Sequence, residues 1–251
     1  MIIRKSQPVM SLRRASFSTL LLLVTFVVIF GSAVASAASS DSKNLAPGFS
    51  QLPKNAKVLI MPTDIELFLV SAGGVFAPRA DWTQAAHAHF KSALLLKKKS
   101  LGVTSVELSE KDADDVAEVS ALHAAIAGAI QMHHFGPGIM NLPTKDGKLD
   151  WSMGESARIL KQKTGADYAL FSWVRDSYAS AERIATTIVL AIVGIGLHPG
   201  GMQTGYASLV DLETGRIVWF NRLLRGTGDL REPEKAAETL NALLNQFPSA
   251  K

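Results

Sequence analysis

Two runs rich in β-branched and aromatic residues stand late in the chain, on either side of a short polar stretch. They are Gly205-Tyr-Ala-Ser-Leu-Val-Asp211 and Arg216-Ile-Val-Trp-Phe-Asn-Arg-Leu-Leu224, joined through Leu-Glu-Thr-Gly215. This pattern predicts a β-hairpin over 205–224. Asp211 is placed to accept hydrogen bonds from backbone N–H groups just ahead of it, which starts the turn. Gly215 suits the positive φ that closes a type I turn with a bulge.

The same reading extends back along the chain. Lys-Val-Leu-Ile-Met at 57–61 is stopped by Pro62 and reads as a buried first strand. A second candidate strand covers 64–71 and is broken by Ala72-Gly73-Gly74. Asp81 reads as the N-cap of a helix over 82–99, with Trp82, Ala86, Phe90, Ala93 and Leu94 at helical spacing and Gly102 just beyond its end. Residues 103–108 have strand composition. Asp112 reads as the cap of a helix whose stripe is Val116, Val119, Leu122, Ile126 and Ile130, ended by Gly136-Pro137-Gly138. Ser152 and Glu155 form a capping box for a helix that stops near Gly165. A strand follows over 168–174, and a final amphipathic helix over 234–247. Strands alternating with helices, with a late hairpin, predict an α/β (α+β) domain over 56–251. Its mixed sheet of about five strands is flanked by helices.

The start of the chain has a different pattern. Arg4, Lys5, Arg13 and Arg14 precede an apolar run over 20–30 and then Gly-Ser-Ala-Val-Ala-Ser-Ala-Ala. This is the order of a secretory signal peptide, expected over 1–37 with cleavage between Ala37 and Ala38. Residues 38–55, bearing Ser, Asp and Pro, read as a flexible lead-in. An uncleaved membrane anchor is the rival reading, since 18–35 carry no charge, although Ser, Thr and Gly dilute the run below the ~20 apolar residues of a spanning helix. The expected location is therefore the periplasm or cell envelope.

Export changes the charge argument. Four of the 26 basic residues and none of the 22 acidic ones lie in 1–37, which leaves 22 of each beyond it. The apparent basicity belongs to the targeting segment and is no argument for nucleic acid as a partner. The chain has no cysteine, so the domain is expected to stand without disulfides and without a lipid anchored on cysteine.

The most unusual stretch beyond the signal is 184–210, which has no Asp, Glu, Lys or Arg. Its apolar part contains Ile184, Ile188, Val189, Ile192, Val193, Ile195 and Leu197. As a helix, 184–197 would span roughly 21 Å, short of the ~30 Å bilayer core. Three readings stand: a buried or partner-covered helix, an exposed apolar segment meeting a membrane (through 184–201) or another subunit, and membrane strands. The last lacks the required alternation. These seven residues are the candidate interaction surface.

Chemistry-bearing patterns are sparse. His87 and His89 are two apart and diverge on a helix, as do the adjacent His133 and His134. No His-x-x-x-His or Gly-x-Ser-x-Gly motif occurs, nor a dinucleotide or phosphate loop. No cofactor, metal ligand or catalytic residue is expected. The remaining enzymatic alternative is a site of distant residues such as His87, His123 and Asp176.

Three segments in order, Lys57-Val-Leu-Ile-Met-Pro62, Thr164-Gly-Ala-Asp-Tyr-Ala-Leu170 and Gly205 to Trp219, resemble bacterial envelope proteins related to the curli-secretion channel protein CsgG, the penicillin-binding-protein activator LpoB and the TolB amino-terminal domain. The resemblance covers roughly 55–247. It implies a non-enzymatic α/β domain of the envelope that docks on a protein partner or on itself, with an oligomeric channel or secretion component as the alternative. The missing lipidation cysteine departs from many members. The uncharged run lies roughly where channel-forming members carry a membrane hairpin.

Overall fold

The computed structural model describes residues 42–98, 101, 103–108, 110–192, 194 and 201–250. The expected signal segment, with Ala37 and Ala38, lies outside them, as do Val193, Ile195 and Leu197 of the candidate surface.

The strands are β1 (Lys57–Ile60), β2 (Asp64–Val70), β3 (Phe76–Pro78), β4 (Thr104–Glu107), β5 (Tyr168–Ala179), β6 (Gln203–Asp211) and β7 (Ile217–Arg225). The α-helices are α1 (Ala80–Lys98), α2 (Glu110–Asp115), α3 (Ala117–His133), α4 (Arg158–Thr164), α5 (Ala181–Ile192) and α6 (Pro233–Leu243). All seven strands join one mixed sheet.

β5 organises that sheet. Along one edge it pairs in parallel first with β1, through Tyr168 to Leu170, and then with β2, through Trp173 to Ala179. Pro62 between β1 and β2 lacks the N–H that would continue one strand, so the chain steps and resumes. Along its other edge β5 pairs antiparallel with β6, and β6 with β7. β4 extends the sheet beyond β1, and β3 beyond β2. At the level of Tyr168 to Leu170 the sheet is five strands wide, in the order β4-β1-β5-β6-β7, and β2 with β3 takes the place of β1 and β4 further along β5.

Side chains of β5 alternate between two cores. Leu170 and Val174 join Phe90, Ala86, Leu240 and Leu243, beneath α1 and α6. Ala169 and Phe171 join Val119, Ala127, Ile130 and Leu160, beneath α3 and α4. A strand buried on both faces needs apolar residues at successive positions, which Ala169-Leu170-Phe171 supplies. Trp219 and Phe220 of β7, both fully buried, split between the same two cores.

Several local expectations are corrected. Asp81 lies inside the first turn of α1 instead of preceding it, and its carboxylate is held by Arg79 at 2.8 Å and 3.1 Å. The helix expected after Asp112 is split into α2 and α3, because Val116 turns into the core at the junction. Ser152 accepts a hydrogen bond from Gly154 N, but Glu155 turns forward to Arg158, and α4 begins only after a 3₁₀ turn. β3 has no counterpart in the sequence reading. Residues 44–46, in the expected lead-in, lie along the outer edge of β7: Ala46 N donates to Val218 O and Phe220 N to Asn44 O. That covers an otherwise open sheet edge.

Candidate functional site

The hairpin is organised by its turn. Asp211 Oδ1 accepts from Glu213 N at 2.9 Å and Thr214 N at 3.0 Å. Gly215 has φ +70°, and a Cβ there would lie 2.0 Å from Gly154 O. Two separate constraints thus require glycine. Opposite Leu209 and Val210 the register advances from Trp219 to Ile217, a one-residue bulge at Val218. These residues hold the frame and present no reactive group.

The uncharged run begins as helix α5, so the strand reading fails over its described part. Ser180 Oγ accepts from Arg183 N at 3.2 Å and caps the helix. At 100° per residue, Arg183, Thr187 and Leu190 share one side. That side faces the protein: Thr187 is buried, Arg183 and Leu190 half-buried, and Arg183 reaches toward Ser71 O. The opposite side carries Ile184, Ile188, Val189 and Ile192, with exposures of 45%, 58%, 62% and 79%. The usual arrangement buries the apolar stripe and exposes the polar one. α5 does the reverse.

The residues around the base of α5 continue that surface. Phe76 of β3, Met202 and Leu224 of β7 are exposed and line one cleft with Arg183 and Gly201. The chain returns here against β5: Ser177 Oγ donates to Met202 O at 3.1 Å and accepts from Met202 N at 2.9 Å. A Cβ on Gly201 would meet Ser177 O at 1.3 Å, so only glycine permits this approach. Sequence reasoning found α5 and missed Phe76, Met202 and Leu224, which join it only through sheet pairing.

Beneath that surface lies a polar cluster. Asp176 Oδ2 accepts from Tyr178 OH at 2.6 Å, Gln203 Nε2 at 2.7 Å and Leu230 N at 3.4 Å. Arg225 donates to Gln203 Oε1 at 2.8 Å and to Thr239 Oγ1 at 2.6 Å. Burial raises the Asp176 pKa against the opposing pull of these donors. Burial, then the Asp176 charge, pushes the Tyr178 hydroxyl far above its ordinary value. The Arg231 guanidinium sits 3.8 Å from the Tyr178 ring centroid. The group is a clamp between β5, β6, β7 and the loop before α6.

The three residues named for the enzymatic alternative do not come together. His87 is exposed on α1, and Asp176 shares the α1 and α6 side of the sheet. His123 of α3 lies across the sheet, stacked on Phe171 with ring centroids 3.8 Å apart. Its Nε2 is 3.0 Å from Ser208 Oγ, the separation of a nucleophile and its base. His123 is 1% exposed and Ser208 fully buried, so no substrate reaches them. Burial lowers the His123 pKa to about 3, which keeps the ring neutral. Among the described residues no group of three His, Cys, Asp or Glu is placed to hold a metal ion. Among them also, no helix is long and apolar enough to cross a membrane.

No protein-family model matches the chain. No curated protein matches it either. Solved structures do overlap. A PelC dodecamer from Paraburkholderia phytofirmans is 14% identical, with a TM-score of 0.39, over 81% of this chain and 96% of that one. The lipoprotein GNA1162 from Neisseria meningitidis is 14% identical, with a TM-score of 0.31, over 76% of this chain and 99% of its own. The C-terminal domain of LpoB from Salmonella enterica is 15% identical, with a TM-score of 0.27, over 72% and 88%.

Proposed function

We propose that this protein is an exported, non-enzymatic interaction module of the bacterial cell envelope that associates through the outward face of α5, first with a second copy of itself. The observation that carries this reading is the reversed polarity of that helix. Four branched side chains point to solvent while Thr187 and Arg183 take the inner side. Fully burying such a side chain gains roughly 1.5–3 kcal/mol. The four are on average about 60% exposed, so complete burial would add on the order of 4–7 kcal/mol per helix, before the cost of association.

A lipid surface is the competing occupant, with the channel reading as its extreme form. Helices that lie on membranes pair an apolar face with a polar face rich in Lys and Arg. α5 has one Arg and one Glu, and that Arg faces inward. This favours protein over lipid. The export signal and the three motifs shared with the CsgG, LpoB and TolB group support the envelope as the setting.

The test is sedimentation velocity of the purified chain beside Ile188→Asp. The expected result is concentration-dependent self-association in the wild type and a monomer in the variant, with unchanged circular dichroism. A wild type that stays monomeric at all concentrations refutes self-association. Flotation of the wild type with anionic vesicles, lost in Ile188→Asp, would instead establish the lipid reading.

A further inference from the structure

A second surface, well away from α5, has the shape and charge of a small-molecule site. α1 does not lie flush on the ends of β1 and β4. Between them is a cleft of about 420 Å³, within the roughly 300–1,000 Å³ of ligand pockets. It opens where β1 stops at Ile60 and β4 at Glu107, beyond the carboxyl ends of two parallel strands. Open α/β sheets place ligands at such ends. Ile60, Ile65, Phe90, Leu94 and Leu95 form its apolar lining.

The polar groups gather at the same opening. His87, Lys91 and Lys98 follow one another on the face of α1 that also carries Leu94 and Leu95. Across from them stands one carboxylate, Glu107, which accepts from Lys98 Nζ at 2.8 Å. Lys98, through that hydrogen bond and its charge, holds the Glu107 carboxyl below its usual range, and the Lys91 charge adds to this. Among the described residues that line the cleft, two ammonium groups and an imidazole therefore face one carboxylate, which leaves positive charge over an apolar cleft.

We infer that this cleft between α1 and the ends of β1 and β4 binds an anionic amphiphile, a fatty carboxylate, with its chain along Ile60, Phe90 and Leu94 and its carboxylate at Lys91 and His87. The inference is independent of association through α5. Neither feature of the ligand suffices alone. A small anion would leave the apolar lining wet, and a neutral hydrocarbon would leave the cationic rim unmatched.

Isothermal titration calorimetry tests it, with dodecanoate held below its micelle-forming concentration as the probe. The expected result is saturable one-to-one binding, no detectable binding of acetate, and at least about fivefold weaker binding of dodecyltrimethylammonium, as for a solvent-screened charge contact. Lys91→Glu should weaken dodecanoate by a similar factor. Leu95→Glu, at an exposed position, should abolish binding with the fold intact by circular dichroism. Ile188→Asp should bind as the wild type does. No saturable dodecanoate binding, wild-type affinity in both Lys91→Glu and Leu95→Glu, or loss of binding in Ile188→Asp would each overturn the inference. So would tighter binding of a peptide ending in leucine, which would make the cleft a protein-tail site.

Discussion

Replacing His123 with Gln should remove the acid sensitivity that its burial builds into the fold. The ring is 1% exposed, stacked on Phe171 and in contact with Ser208. Burial disfavours the imidazolium and brings the pKa from 6.5 to about 3. The sign follows from proton counting. Below about pH 6.5 the unfolded chain binds a proton here that the folded chain refuses, so stability falls as pH falls. The loss is about 1.4 kcal/mol per pH unit. At pH 5 it amounts to about 2 kcal/mol, and near pH 3, where the folded ring is itself half protonated, to about 4 kcal/mol. The larger figure approaches the whole stability of many domains. Urea unfolding of the wild type, His123→Gln and His123→Phe between pH 7 and pH 5 measures it. Gln keeps a polar partner for Ser208, and Phe keeps the stack on Phe171. Both variants should start less stable at pH 7 and lose about 2 kcal/mol less than the wild type on going to pH 5. Carboxylates common to the three proteins cancel in the difference. Parallel curves for all three would refute the buried, neutral ring.

Asp176 should act with the opposite sign. Its raised pKa means that its contribution is greatest below the unfolded value of 3.8 and is lost as pH rises through the folded one. Asp176→Asn, which keeps an acceptor for Tyr178 and Gln203, should therefore be no less stable than the wild type at pH 7 and should lose that advantage in acid, as read by thermal melts across pH. Gly215→Ala should cost at least about 1–2 kcal/mol in urea midpoint from the positive φ alone. The 2.0 Å approach to Gly154 O should raise that cost further.

Much of the frame was legible because it is local. The turn at Asp211 and Gly215 involves neighbours in sequence, and Pro62 ends β1 wherever the strand lies. In the Gly-Ala-Asp-Tyr segment, Gly165 caps α4 with φ +66°, and Asp167 Oδ2 accepts from Lys57 N at 3.0 Å to lock β1 beside β5. The first contact is local, and the second explains why the segment reads as a unit with the strand after it. What was not legible depends on distant partners. β3 exists because Phe76 and Pro78 find Val70 and Phe68 across a turn. Asp176 takes its role from Gln203 and Leu230, 27 and 54 positions away. Asp81 has the chemistry of a cap, yet Arg79 two residues before it competes for the carboxylate.

The case of α5 shows why periodicity alone could not name its exposed side. A stripe of Ile and Val at helical spacing reads as a core face, because a core is where such stripes usually go. Here the two cores are already closed over β5 by α1 and α6 on one side and by α3 and α4 on the other. Neither core includes a residue of α5. The helix leaves the end of β5 at Ser180 and the chain returns through Gly201 and Met202 against Ser177, so both of its attachments lie at the rim of the sheet. Directly beneath that rim the Asp176, Tyr178, Gln203 and Arg225 clamp fixes the ends of β5, β6 and β7 to one another. A rigid base with an apolar helix projecting from it costs the fold solvent exposure that its own core cannot recover. Covering that helix from outside would recover it, which is the physical ground for proposing α5 as the interaction surface, with the hairpin as its support.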